Sequence, residues 1–235
     1  FLAVGRIVTP AWAPQRFDAT YFLVEAPAGA APDVSCSEGE LAAGLWVRPD
    51  QVLVEWENGE PSISPVVIEA LRALVAGLAG RDERLPLLLA AEASVRSWDF
   101  ASALSICMLR TPTLPPALHT NCYLVGGTEM VVIDPASPYP DEQAVLDAVI
   151  DARRAQGRRV VEVWLTHHHE DHVGGAAHLR ERFGVPILAH PRTAALLAGL
   201  LPIDRELADG ETRVLPDGGG FCERRLRVVE TPGHA

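Results

Sequence analysis

Residues Trp164 to Gly175 read WLTHHHEDHVGG, and this stretch constrains the fold more than any other. The apolar run VVEVWL stops at Leu165. Four histidines, a glutamate and an aspartate then fill positions 167 to 172, and two glycines open the helical pattern GGAAHLRERFG. A buried strand feeding directly into a helix implies a layered α/β domain, in which ligands gather beyond the carboxyl ends of strands. Side chains alternate in extended backbone, so His167 and His169 are expected on one side and His168 on the other. Gly174 and Gly175 allow the next helix to approach closely, with no side chain in the way.

A second apolar run, LRVVE, ends in the same manner and delivers His234 through a Thr-Pro-Gly turn. Two strand ends bearing histidines are therefore expected to meet at one edge of a sheet. Neutral imidazoles suit zinc, and a catalytic zinc keeps one position open for water. His167, His169 and His234 form such a set, and Asp171 with His172 begins a second site of the kind two-metal hydrolases use. The T-H-x-H-x-D-H spacing after an apolar strand, with TPGH downstream, favours a metal centre over a polar loop with incidental histidines. Ligand histidines usually donate their other N–H to a carboxylate or carbonyl, and Asp134 is a candidate for that supporting role. His168 and Glu170 are expected to face solvent. His119 reads as a strand histidine, His178 as surface or packing, and His190 stays ambiguous.

The rest of the chain supplies the layers. DATYFLVEAP and AGLWVRPDQVLVEW are rich in aromatic and β-branched residues and predict strands. SPVVIEALRALVAG predicts a helix from Ser64 and Pro65 to Gly77. Residues 80–103 lose any period and read as a linker between a domain at 1–79 and another at 104–235. Beyond Leu104, TNCYLVGG and EMVVIDP predict two strands joined by a Gly-Gly turn. DEQAVLDAVIDARRAQG carries acids at its start and arginines at its end, as a helix dipole favours. Strand VPILAH and helix RTAALLAGL follow.

THHHEDH and TPGH resemble the metal-binding signature of the metallo-β-lactamase superfamily, and NCYLVGG with VVIDPAS resembles its opening strands. The branch most similar holds glyoxalase II-like hydrolases and small endoribonucleases. The resemblance implies a partial αβ/βα sandwich over 104–235. It implies one ion on His167, His169 and His234, and Asp171 and His172 on a second, with Asp171 also helping to orient the nucleophile. The implied cofactor is one or two zinc ions. Zinc-activated water would cleave an ester, thioester, lactam or phosphodiester. RNA cleavage, or a non-catalytic metal-binding scaffold, are the alternatives. The family's bridging aspartate and last histidine have no counterpart in these residues, so the copy reads as truncated, with little turnover expected. The first 79 residues resemble the back half of a Nudix domain, an α+β fold, but lack its glutamate-rich catalytic helix, so docking or shielding is the expected role.

The formal charge of −11 and the absence of lysine leave no basic stripe for indiscriminate nucleic-acid binding. No apolar run approaches the ~20 residues of a membrane span. Cys36, Cys107, Cys122 and Cys222 form no CxxC pair, which fits reduced thiols and a cytoplasmic location. The substrate, small molecule or RNA, stays open. Apolar sheet surface left uncovered would favour self-association.

Overall fold

Arg96 opens the second of two units, Phe1–Val95 and Arg96–Ala235. The computed structural model describes residues 2–8, 17–24, 27, 29, 43–59, 62–79, 96–101, 103–216 and 224–234.

In the first unit, β1 (Leu2–Val8) and β2 (Asp18–Leu23) pair antiparallel, and two helices follow, α1 (Pro49–Glu57) and α2 (Pro65–Ala79). The strand expected through AGLWVRPDQVLVEW is corrected by α1. Pro49 sits at the start of the helix, where its missing N–H costs nothing, and Asp50 complements the dipole. Val52 and Trp56, four residues apart, are both buried. That spacing outweighs the strand preference of the residue types. The Arg72 guanidinium of α2 lies 5.4 Å from the Trp56 ring. Helix α2 also runs past Gly77, its expected end; a mid-helix glycine costs about 1 kcal/mol, which packing around the fully buried Ile68 offsets.

The second unit is built on a seven-stranded sheet. Its strands are β3 (Ser97–Ala101), β4 (Leu104–Arg110), β5 (His119–Val125), β6 (Glu129–Ile133), β7 (Arg159–Leu165), β8 (Ile187–Ala189) and β9 (Arg205–Glu206), in spatial as in chain order. The first four pair antiparallel and the last four parallel. The parallel strands are joined by α3 (Pro140–Ala155), by α4 (Glu170–Val173) with α5 (Ala176–Phe183), and by α6 (Pro191–Leu196). Strand β3 lies inside the stretch expected to be a linker. Its short polar-aromatic sequence has no clear period, yet Asp99 is held by the Ser105 hydroxyl at 2.7 Å and by Arg153 from α3.

Alternation along the strands makes both faces of the sheet apolar. Met130, Val132, Val163 and Leu165 pack with Leu146 and Ile150 of α3 and Leu179 of α5. Val131, Trp164 and Leu188 point the other way, towards Leu207, Leu215 and Leu226. Leu215 and Leu226 belong to a separate antiparallel pair, β10 (Thr212–Leu215) and β11 (Arg224–Arg227). Thus the last strand before His234 does not join the sheet that carries His167, contrary to the expectation of a shared edge. Its charged residues, Arg224, Arg225 and Arg227, suit a two-stranded ribbon better than the interior of a parallel sheet. Among the described residues no helix is long and apolar enough to cross a membrane.

Candidate metal centre

The site forms where β6 and β7 end side by side. Asp134, immediately after β6, has φ of 50° and Ala136 has φ of 49°, both in the left-handed region that residues with a Cβ rarely occupy. The Ala136 N–H donates to the His172 carbonyl at 3.0 Å, tying this turn to α4. Gly174 and Gly175 pack against the same turn. A Cβ on Gly174 would stand 2.7 Å from the Ala136 carbonyl oxygen, and one on Gly175 would stand 2.5 Å from that of Pro135. The close approach expected of these glycines is present, and its partner is the Pro135–Pro138 turn.

Asp134 is 3% exposed and its carboxylate accepts three hydrogen bonds. The Thr166 N–H reaches Oδ1 at 2.8 Å, the Thr166 hydroxyl reaches Oδ2 at 2.6 Å, and His172 Nδ1 reaches Oδ2 at 2.8 Å. The Thr166 oxygen also lies 2.9 Å from His167 Nδ1. Since the single hydroxyl proton goes to Asp134, His167 Nδ1 must be the donor in that contact. The proton therefore sits on Nδ1 and the lone pair on Nε2. That Nε2 is buried and has no hydrogen-bond partner. His172 Nδ1 faces the Asp134 carboxylate, which can only accept, so it carries a proton, and its Nε2 lies 3.7 Å from Asp171 Oδ2.

His167, His169 and His234 place one nitrogen each within 4.8 Å of the others. The ring of His234 lies 5.0 Å from that of His167 and 4.9 Å from that of His169, so the structure brings these three together. A second group of three, Asp134, His167 and His172, meets the same distance limit, although Asp134 is already committed to its three donors. Burial first, then the neighbouring His172, holds the His167 imidazole down to about 4, so it is neutral at neutral pH. For His172, burial opposes charging, but the hydrogen bond to Asp134 and the charges of Asp134 and Asp171 outweigh it and raise its pKa. Burial pushes the Asp171 carboxyl up, yet the Thr113 hydrogen bond, His172 and Thr120 bring it below the ordinary value. The donor set fits zinc: three imidazole nitrogens converge, and that of His167 is neutral, with a buried Nε2 otherwise unsatisfied.

The other histidines separate from this group. His168 does not simply face solvent; it is half-buried, with Nδ1 shielded and unpartnered among the described residues, but it belongs to neither donor group. Glu170 is exposed as expected. His178 pairs with Asp147 at 3.0 Å, and His190 caps α6 by accepting the Arg192 N–H at 3.4 Å. His119 lies on β5 opposite Arg110. Cys107 and Cys122 face each other across β4 and β5, both buried and free, whereas Cys36 and Cys222 lie outside the described residues.

Two supports of the site escape a reading of the sequence. The Thr120 hydroxyl reaches Asp171 Oδ2 at 3.3 Å and is itself paired with Thr111 Oγ1 at 2.8 Å. Nothing local marks a threonine on a strand as the partner of a carboxylate 51 residues later.

The model of the metallo-beta-lactamase superfamily matches residues 115–235. Hydroxyacylglutathione hydrolase from Acidiphilium cryptum is 40% identical over 126 residues, which cover 53% of this chain and 45% of that protein. The enzyme of the same name from Rhizobium etli is 32% identical over 110 residues, covering 45% and 38% respectively. The chain thus spans about two-fifths of the length of these curated relatives. Among solved structures, a metallo-beta-lactamase from Pontibacter korlensis aligns with a TM-score of 0.43 at 21% identity, covering 50% of this chain and 54% of that one.

Proposed function

The chain belongs to the metallo-beta-lactamase superfamily, and from that premise we propose that it carries the metal site of a zinc-dependent hydrolase acting on thioesters. The observation that carries this reading is the convergence of His167, His169 and His234, with the His167 lone pair fixed by the Thr166–Asp134 network. The thioester follows from the relatives named hydroxyacylglutathione hydrolase.

His167, His169 and His234 would hold one ion, and Asp171 with His172 would contribute to a second. Zinc bound there would supply acidified water, with a pKa near 7, and would polarise the carbonyl under attack. The protein's own part is orientation. Asp134 locks the His167 and His172 rings through Thr166 and a direct hydrogen bond, so neither ring must reorganise. Asp171, held ionised by its threonine donors, directs one carboxylate oxygen towards His172 and helps to orient the nucleophile. Among the described residues a thiol nucleophile has no support: Cys107 is buried and its pKa is pushed up to about 12, and burial raises that of Cys122 well above its usual range. The first unit, with its resemblance to part of a Nudix domain, enters this proposal as a docking or shielding module.

The test is hydrolysis of a hydroxyacylglutathione thioester by the zinc-loaded chain, followed by free-thiol release. Turnover that disappears on chelation and in His167→Ala supports the reading. Zinc binding with cleavage of a lactam or an RNA phosphodiester instead would replace the substrate class. Zinc binding without any turnover would favour the scaffold, and failure to bind zinc would remove the proposal.

A further inference from the structure

A cavity of about 530 Å³ opens beside the histidine cluster, a volume within the ~300–1,000 Å³ of small-molecule sites. Its walls are Trp164 of β7, Leu196 of α6, Leu207, and Leu226 and Val228 at β11. His167 and His234 line the same space, so the ligand nitrogens and the apolar walls belong to one compartment. Trp164 and Leu207 are 6% and 4% exposed, which makes that part of the wall a fixed piece of core. Arg192 and Glu230, paired with each other at 3.4 Å, and the exposed Arg227 also line it.

We propose that this cavity receives the acyl chain of the substrate, and that the chain is aliphatic and several carbons long. The inference rests on the thioesterase reading and narrows it. A thioester whose carbonyl sits at the histidines has two substituents to place. The peptide side of a glutathione thioester is charged, and the stretch of wall formed by Trp164, Leu196, Leu207, Leu226 and Val228 offers those charges no partner, so burying them against it is strongly unfavourable. The acyl side carries no charge and gains from leaving water. A two- or three-carbon acyl group would leave most of the space unfilled, so the walls reward a longer chain.

The test has two arms on the full chain. In the first, the zinc-loaded protein is given glutathione thioesters of acetate, butanoate, hexanoate and octanoate. Each added methylene should raise kcat/KM by about fourfold until the cavity is full. Leu196→Asp, at a position 54% exposed and so safe for folding, should flatten that series by charging the wall. In the second arm, the metal-free protein is titrated with 1-octanol while the Trp164 indole N–H signal is followed by NMR. A saturable shift that Leu196→Asp weakens supports the proposal. A chain-length series that is flat in an active enzyme overturns it, as does an indole signal that octanol leaves unmoved. Octanol binding at Trp164 without thioester hydrolysis would keep the pocket and sink the hydrolase reading instead.

Discussion

Asp134 links more of the site than any ligand does, since one buried carboxylate sets the orientation of His167 and His172 together. Asp134→Asn keeps the shape but turns an N–H₂ donor towards the Thr166 hydroxyl or His172. The affinity for zinc should fall by roughly 10–100-fold, and the metal-free protein should lose about 1–3 kcal/mol from the mispaired buried group. Calorimetric zinc titration and urea unfolding read the two effects separately, and unchanged zinc affinity would show that Asp134 supports only the fold. The histidines of the proposed ligand set make a sharper contrast. His167→Ala and His169→Ala should each strip most of the zinc, while His168→Ala should retain it, because His168 falls in neither donor group. Equal losses in metal analysis of the three variants would mean that a different set of nitrogens binds.

At the scale of elements, the β6–α3 turn and the glycines before α5 act as one piece. Gly175→Ala places a methyl 2.5 Å from the Pro135 carbonyl oxygen, and backbone rather than a flexible side chain must yield. The expected cost is about 1–3 kcal/mol, and the shift would reach Asp134 one residue away, so zinc affinity should fall as well. Normal affinity with lowered stability would separate the turn from the site. What the sequence made legible follows from range. The HHHEDH run, its strand and the Gly-Gly helix start are local, and they appear where the spacing predicts. Asp134 is legible through the resemblance of VVIDPAS to the family's opening strands. Thr120 is not, because its meaning depends on β5 lying opposite α4. The helix at Pro49–Glu57 runs against the strand preference of Val52, Val54 and Trp56, and only the four-residue spacing of the buried Val52 and Trp56 decides for it. Strand β3 was hidden because a seven-residue pairing partner, β4, supplies the order that its own sequence lacks.

At the scale of the molecule, every proposed ligand lies in the unit Arg96–Ala235, and His234 reaches the others from outside the main sheet. An ion joining His234 to His167 and His169 would therefore tie the segment after β11 to the end of β7, a link otherwise made by packing and the contacts of the ribbon. Binding to the folded state alone stabilises by RT ln(1 + [L]/Kd), about 2.7 kcal/mol when free zinc stands at 100 times Kd. For a unit of this size that corresponds to a rise of roughly 5–10 °C in melting temperature. Chelation should reverse the rise, and it should do so for this unit alone. Hydrogen exchange with and without zinc makes the distinction: amides of β7 and β8 should gain protection, while those of α2 in the first unit should exchange at the same rate. Protection that rises equally in both units would mean that zinc couples them or binds elsewhere. Protection unchanged in β7 would mean that the three histidines do not close around an ion.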